Sequence, residues 1–186
     1  KSPQLDVVVI NLYLAPDPSN KQHVKANIQL YDWARRVLVK IGMRAFVVLL
    51  PDANGKIGIL PAKDRNIDVS NNIGQCNPVI ENKFGTILRQ FVSDMQISVV
   101  NTFHSVADTF YSNVETSSRI DFVGVRTRHI ESVTKCMIWE RSGDRLQLIK
   151  TNQTRDHRPL MAEFRHENPY LQYERNRNES RKQKFA

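Results

Sequence analysis

Residues 45–50, Ala-Phe-Val-Val-Leu-Leu, constrain the fold more than any other stretch. Aliphatic, β-branched and aromatic side chains at every position leave no polar face, so the run predicts a strand buried on both sides. Pro51 stops it, and Asp52 and Asn54 follow at once. Two polar side chains are thereby placed at the mouth of a sheet. If extended geometry persists, residues two apart point the same way, one an anionic acceptor or base and the other a neutral amide. An Asx turn closing the strand is the structural alternative.

The flanking chain alternates in character. Leu5–Leu14 reads as another strong strand, closed by the turn residues Pro16, Asp17, Pro18 and Asn20. Residues 21–40 read as a helix with Val24, Ile28, Tyr31 and Val37 on one face, Asn20 as its N-cap and Gly42 beyond its end. Phe84, Ile87, Leu88 and Phe91 recur at i, i+3, i+4 and i+7, predicting a second amphipathic helix, and residues 97–100 a short strand. The segment 55–80 between them, with Gly58, Pro61, Gly74 and Pro78, lacks periodicity, as functional or mobile connections do. Five further strands are expected at 109–112, 119–125, 133–139, 146–149 and 159–165, with little helix between them. The pattern is an α/β (α+β) chain whose later strands pack sheet on sheet. Residues 1–165 form the expected domain; 166–186 read as a polar tail or linker.

Composition narrows the partners. The net charge is +8, and the tail holds only five of the 27 Lys and Arg residues, so the basicity belongs mostly to the folded part and suits a polyanion. Cys76 and Cys136 lack zinc-ligand spacing, which excludes a disulfide framework and a structural zinc site and fits a reducing, intracellular compartment. No run reaches transmembrane length, so no membrane partner is expected. The chain opens at Lys1 and enters a buried-looking strand within five residues, so an absent N-terminal part is expected.

Three separated segments carry ionisable groups without an evident structural use: Asp52 with Asn54, Asp121 within Arg119-Ile120-Asp121-Phe122, and Asp156-His157 before Pro159-Leu160. An Asp among Ile, Phe and Val is costly unless paired; a distant histidine, or Arg119, is a natural partner. In order and flanks these segments resemble the endonuclease/exonuclease/phosphatase superfamily. Leu50-Pro51-Asp52-Ala53-Asn54-Gly55-Lys56-Ile57-Gly58 is similar to Gly-Asp-Phe-Asn-Ala-x-x-Gly, and Thr109-Phe110-Tyr111-Ser112 to Thr-Trp/Phe-x-Ser. Arg119–Phe122 resembles Gln-Ile-Asp-Tyr, Arg155–Leu160 resembles Ser-Asp-His-x-x-Leu, and Asn11–Pro16 resembles Asn-x-Tyr-x-Pro with one extra residue. Residues 77–82 with Gly85, Leu88–Phe91 and Asn101-Thr102-Phe103 are similar to the family's Asn-x-Asn-Gly, Leu-x-x-Phe and Asn-Thr-Phe succession. The endonuclease domains of non-LTR retrotransposons and the craniofacial development protein 2-like sequences show the strongest likeness.

The resemblance implies a four-layered α/β/β/α sandwich of the exonuclease III and deoxyribonuclease I type, and Mg²⁺- or Mn²⁺-dependent hydrolysis of phosphodiesters in DNA, in an intracellular, nuclear setting. Asp156 matches a metal ligand; Asp52 with Asn54 matches the pair that orients or deprotonates water. His157, Asn54 and Tyr13 match donors to phosphoryl oxygens, with a base as the other role the family gives His157, Thr109 matches a phosphate contact, and Asp121 the acceptor that holds the His157 ring. An Asn and a Glu that the family carries upstream have no counterpart. Pro51 replaces a glycine, which re-aims the following side chains, and Ala53 replaces a phenylalanine, which leaves a hole unless something else fills it. Two readings follow: a metal-dependent nuclease, impaired by those departures, or a noncatalytic module that binds nucleic acid or a protein. Oligomeric state is open.

Overall fold

A computed structural model describes residues 6–42, 45–59, 71–76, 79–111, 116–139 and 157–165. Strand β1 (Val7–Tyr13) runs parallel to β2 (Phe46–Asp52), in a register that sets Ile10 beside Leu49 and Tyr13 beside Asp52. Parallel neighbours need a crossover, and α1 (Lys21–Lys40) supplies it. Its bounds follow from local chemistry: the Asn20 side chain accepts from the Gln22 N–H at 2.9 Å, and the Ile41 N–H closes the last turn on Leu38 O.

After β2 the chain forms a short parallel pair, β3 (Gly58–Ile59) with β4 (Val79–Ile80), then α2 (Lys83–Asp94), capped by Asn82, and β5 (Ile97–Val99). β6 (Phe110–Tyr111) pairs with β7 (Ser117–Ser118); β8 (Gly124–Arg126) follows, then β9 (Val133–Ile138) and β10 (Leu160–Phe164), which pair with each other. The main sheet has the order β1-β2-β8-β5, with β8 antiparallel to both neighbours. Gly124 permits the close approach there, since a Cβ on it would lie 2.9 Å from Ile97 Cγ2.

β2 is packed on both faces, as its composition predicts. Val47 and Leu49 join a core under the helices with Ile10, Leu12, Tyr31, Leu88 and Phe91, while Phe46, Val48 and Leu50 pack against a second core containing Val125, Cys136 and Ile138. Each fully buried side chain of this size stabilises by about 1.5–3 kcal/mol. β2 thus lies between two cores. Tyr31 and Phe91, with ring centroids 4.7 Å apart, join α1 to α2. Among the described residues β1 ends the sheet, with Val7, Val9 and Tyr13 exposed on the face that carries Phe46 and Val48 in β2.

The expected strand 119–125 is not continuous. Only residues 117–118 and 124–126 hold ladder positions, because between them the N–H groups of Ile120 and Asp121 turn to the Thr109 hydroxyl, each at 3.1 Å. The expected strand 146–149 and the tail 166–186 lie outside the described residues. No described helix is long and apolar enough to cross a membrane.

Candidate active site at the ends of the core strands

Backbone pairing brings two carboxylates together. Asp52, last residue of β2, forms an isolated antiparallel bridge with Asp121, closed by Ala53 N–H to Ile120 O at 2.9 Å and Phe122 N–H to Pro51 O at 3.0 Å. Those two bonds flank the pair, so Asp52 and Asp121 occupy the close, non-hydrogen-bonded type of site, where opposed side chains interact most strongly. Burial first, and then the Asp121 charge, push the Asp52 carboxyl above its ordinary value; the Asn54 N–H and His157 pull the other way.

Asp121 has the imidazole partner that its apolar neighbours call for. His157 Nδ1 lies 3.0 Å from Asp121 Oδ2 across 36 residues of sequence. A second bridge, Phe110 with His157, fixes the backbone, and the Phe110 ring meets the imidazole edge-on with centroids 5.1 Å apart. With Nδ1 on a carboxylate, Nε2 is the ring nitrogen left for chemistry. Arg119 serves elsewhere: it is buried, with Nη1 donating to the carbonyl oxygens of Cys76 and Asn101 at 3.1 Å each.

Asn54 departs from extended geometry. Its φ of 46° is left-handed, its N–H reaches Asp52 Oδ1 at 3.3 Å in an Asx turn, and its Nδ2 donates to Leu14 O at 2.7 Å. The turn therefore coexists with the site, and Asn54 ties the end of β2 to the end of β1. Ala53 is fully buried in the helix-side core. Pro51 loses no pairing to β8's lead-in segment, because the position contributes its carbonyl.

Tyr13 stands beside Asp52 in register and is 75% exposed. Thr109 is fully buried beneath Asp121, its hydroxyl spent on two backbone N–H groups, which gives a phosphate no surface to touch. Asp156 lies outside the described residues. Sequence reasoning placed Asn101 in a family motif without giving it a role, and did not single out Asn27. Asn101, buried, donates from Nδ2 to Asp121 O at 3.1 Å and accepts from Val123 N–H at 3.3 Å, and the Asn27 side chain clamps both the N–H and the carbonyl of Ala15. Only the polarity of Asn27 on a helix face was a signal for it.

One oxygen of Asp52, one of Asp121 and one ring nitrogen of His157 all lie within 4.8 Å of one another. Two carboxylates at such spacing repel, and oxygen donors of this kind suit a hard divalent cation, so the residues present fit one.

No protein-family model matches the sequence, and no curated protein does. Solved structures do match. A variant of the 3′ phosphatase NExo from Neisseria bound to a product DNA hairpin has a TM-score of 0.56 at 17% identity, over 85% of this chain and 61% of that one. The 3′–5′ exonuclease NExo from Neisseria meningitidis gives 0.54 at 18%, over 84% and 60%. The endonuclease domain of TRAS1, a telomere-specific non-LTR retrotransposon, gives 0.51 at 17%, over 84% and 58%. The chain thus spans about three-fifths of the length of these structures. At such identities the likeness is one of architecture, and the chain has the mixed α/β fold of the endonuclease/exonuclease/phosphatase nucleases, the exonuclease III and deoxyribonuclease I type.

Proposed function

We propose that this chain is a divalent-metal-dependent phosphodiesterase acting on DNA, of the endonuclease kind. The observation that carries the reading is the convergence of Asp52, Asp121 and His157 from three distant segments within 4.8 Å. The shared fold with nucleases, one of them bound to a DNA hairpin, supports it, as does the charge of +8.

In this reading Asp121 fixes the His157 ring through Nδ1, so that Nε2 donates to a non-bridging oxygen of the scissile phosphate. Asp52, its affinity for a proton raised by burial and by Asp121, orients and deprotonates the attacking water. Asn54 holds the loop that presents Asp52, and exposed Tyr13 offers its phenol to the phosphate edge. Asp52 and Asp121, with Asp156, the residue before His157 in sequence, as a further carboxylate, would hold Mg²⁺ or Mn²⁺. Such a cation supplies Lewis-acid polarisation of the phosphoryl group. The free thiols of Cys76 and Cys136 suit the reducing interior of a cell, and the nucleus is the proposed site of action.

Plasmid nicking by the full chain, with Mg²⁺ and with EDTA, tests this. Metal-dependent nicking should fall by about 10²–10⁴-fold in His157→Ala and Asp121→Asn. Nicking that both variants retain overturns the proposed site. DNA binding without nicking leaves the noncatalytic module as the function.

A further inference from the structure

We infer that Asn27 of α1 is a positioning residue for Tyr13, holding the chain that follows β1 so that the phenol stays beside Asp52. The inference rests on the nuclease reading above. Tyr13 pairs with Asp52 in the parallel register, and partners in a ladder project to the same face, so phenol and carboxylate leave the sheet together. At 75% exposure the Tyr13 ring has little packing to fix it, and its placement depends on its backbone.

That backbone is held just beyond the ladder. Leu14 N–H donates to Asp52 O at 3.0 Å, and Leu14 O accepts from Asn54 Nδ2 at 2.7 Å. Ala15 N–H donates to Asn27 Oδ1 at 2.8 Å, and Ala15 O accepts from Asn27 Nδ2 at 3.1 Å. Every backbone polar group of residues 14 and 15 is thus spent, half of them on one side chain 12 residues from Ala15. Asn27 is 2% exposed and shares its helix stripe with Tyr31, Ala34 and Leu38. An amide in such a stripe is costly unless it is bonded, and this one is bonded through both oxygen and nitrogen to the residue two beyond Tyr13. Pro16 follows and has no N–H with which to extend the pairing to β2, so the amide takes over where the ladder ends. A misplacement of about 1 Å in a group that meets the reacting phosphate can cost about 10²-fold, and the loss falls on kcat when the contact is made in the transition state.

The test is a double-mutant cycle on plasmid nicking by the full chain with Mg²⁺, read as kcat and KM well below the melting temperature of every variant. Tyr13→Phe should lower kcat by about 10²-fold, the loss of one donor to developing phosphoryl charge. Asn27→Leu removes both bonds to Ala15, and Asn27→Asp keeps the acceptor and loses the donor. Each should lower kcat by about 10-fold with KM within about twofold, and neither should lower it further in the Tyr13→Phe background. Ala34→Gly, a destabilising change on the same stripe two turns away, is the control and should keep the wild-type kcat. Equal losses in both backgrounds, a wild-type kcat in Tyr13→Phe or in both Asn27 variants, an equal fall in Ala34→Gly, or failure of both Asn27 variants to fold each overturns the inference and leaves the nuclease reading standing. A wild-type chain that does not nick removes both.

Discussion

The Thr109 hydroxyl links the fold to the candidate chemistry, and Thr109→Val isolates it. Valine keeps the shape of threonine and removes only the oxygen that accepts from Ile120 N–H and Asp121 N–H. Thr109 is fully buried, so water cannot replace the lost acceptor without a rearrangement. A buried donor left without a partner costs about 1–3 kcal/mol, and two of them, partly relieved by local movement, about 2–4 kcal/mol together. For a chain of this length a loss near 3 kcal/mol lowers the melting temperature by roughly 6–12 °C. Urea and thermal melts followed by tryptophan fluorescence read it directly. Thr109→Ser keeps the oxygen and loses one methyl, about 0.8 kcal/mol. If valine and serine variants melt together, the hydroxyl is not the anchor. The valine variant should also lose activity at temperatures where it is fully folded, because Asp121 sets the His157 ring and its backbone would no longer be held.

Other consequences are as direct. Asp52→Asn should abolish nicking yet stabilise the fold at neutral pH, because it removes a carboxylate that burial and Asp121 oppose. The native carboxyl binds its proton more tightly than the unfolded one, so wild-type stability falls as pH rises from the ordinary carboxylate range through the raised native value. The variant's advantage should vanish near pH ~4 and open above it, as paired thermal melts against pH would record. Gly85→Ala places a Cβ 1.7 Å from the Lys56 carbonyl oxygen, so either Lys56 or the first turn of α2 must move. A loss of about 3 kcal/mol or a failure to fold is expected, and a soluble variant with wild-type melting behaviour would contradict the packing of the 53–57 loop on α2.

Legibility varied with how local the determining chemistry was. The bounds of α1 were readable because Asn20 caps it through its own side chain, and α2 because four apolar residues repeat at helical spacing. Both faces of β2 were readable from six apolar residues in a row. The Asp121–His157 pairing was half-legible: the cost of an acid among apolar neighbours asked for a partner, but only the fold chose the imidazole over Arg119. The interruption at 119–123 was not legible, since it depends on a hydroxyl about ten residues away. The Asx turn after β2 was legible as the alternative to extended geometry, but the left-handed backbone of Asn54 was not, nor its bond to the Leu14 carbonyl just past the end of β1.

The opposition of Asp52 and Asp121 also bears on what the site is for. Nothing in the cores requires it: β2 already carries its apolar side chains on both faces, and a neutral residue at either position would satisfy the same backbone bridge. Like charges directly opposed in a close pair are destabilising, and here burial adds to the effect. The surrounding structure nevertheless fixes the pair from several directions. Thr109 and Asn101 hold the Asp121 backbone, Asn54 ties the Asp52 loop to Leu14, and His157 engages one carboxylate. A destabilising arrangement that is held in place by several independent contacts is what a functional constellation looks like when it conflicts with the fold's own preferences. A cation between the carboxylates, or a proton shared at low pH, would relieve the repulsion. Thermal stabilisation by Mg²⁺ or Mn²⁺ in the wild type but not in Asp52→Asn is therefore the physical signature that this local conflict serves metal binding.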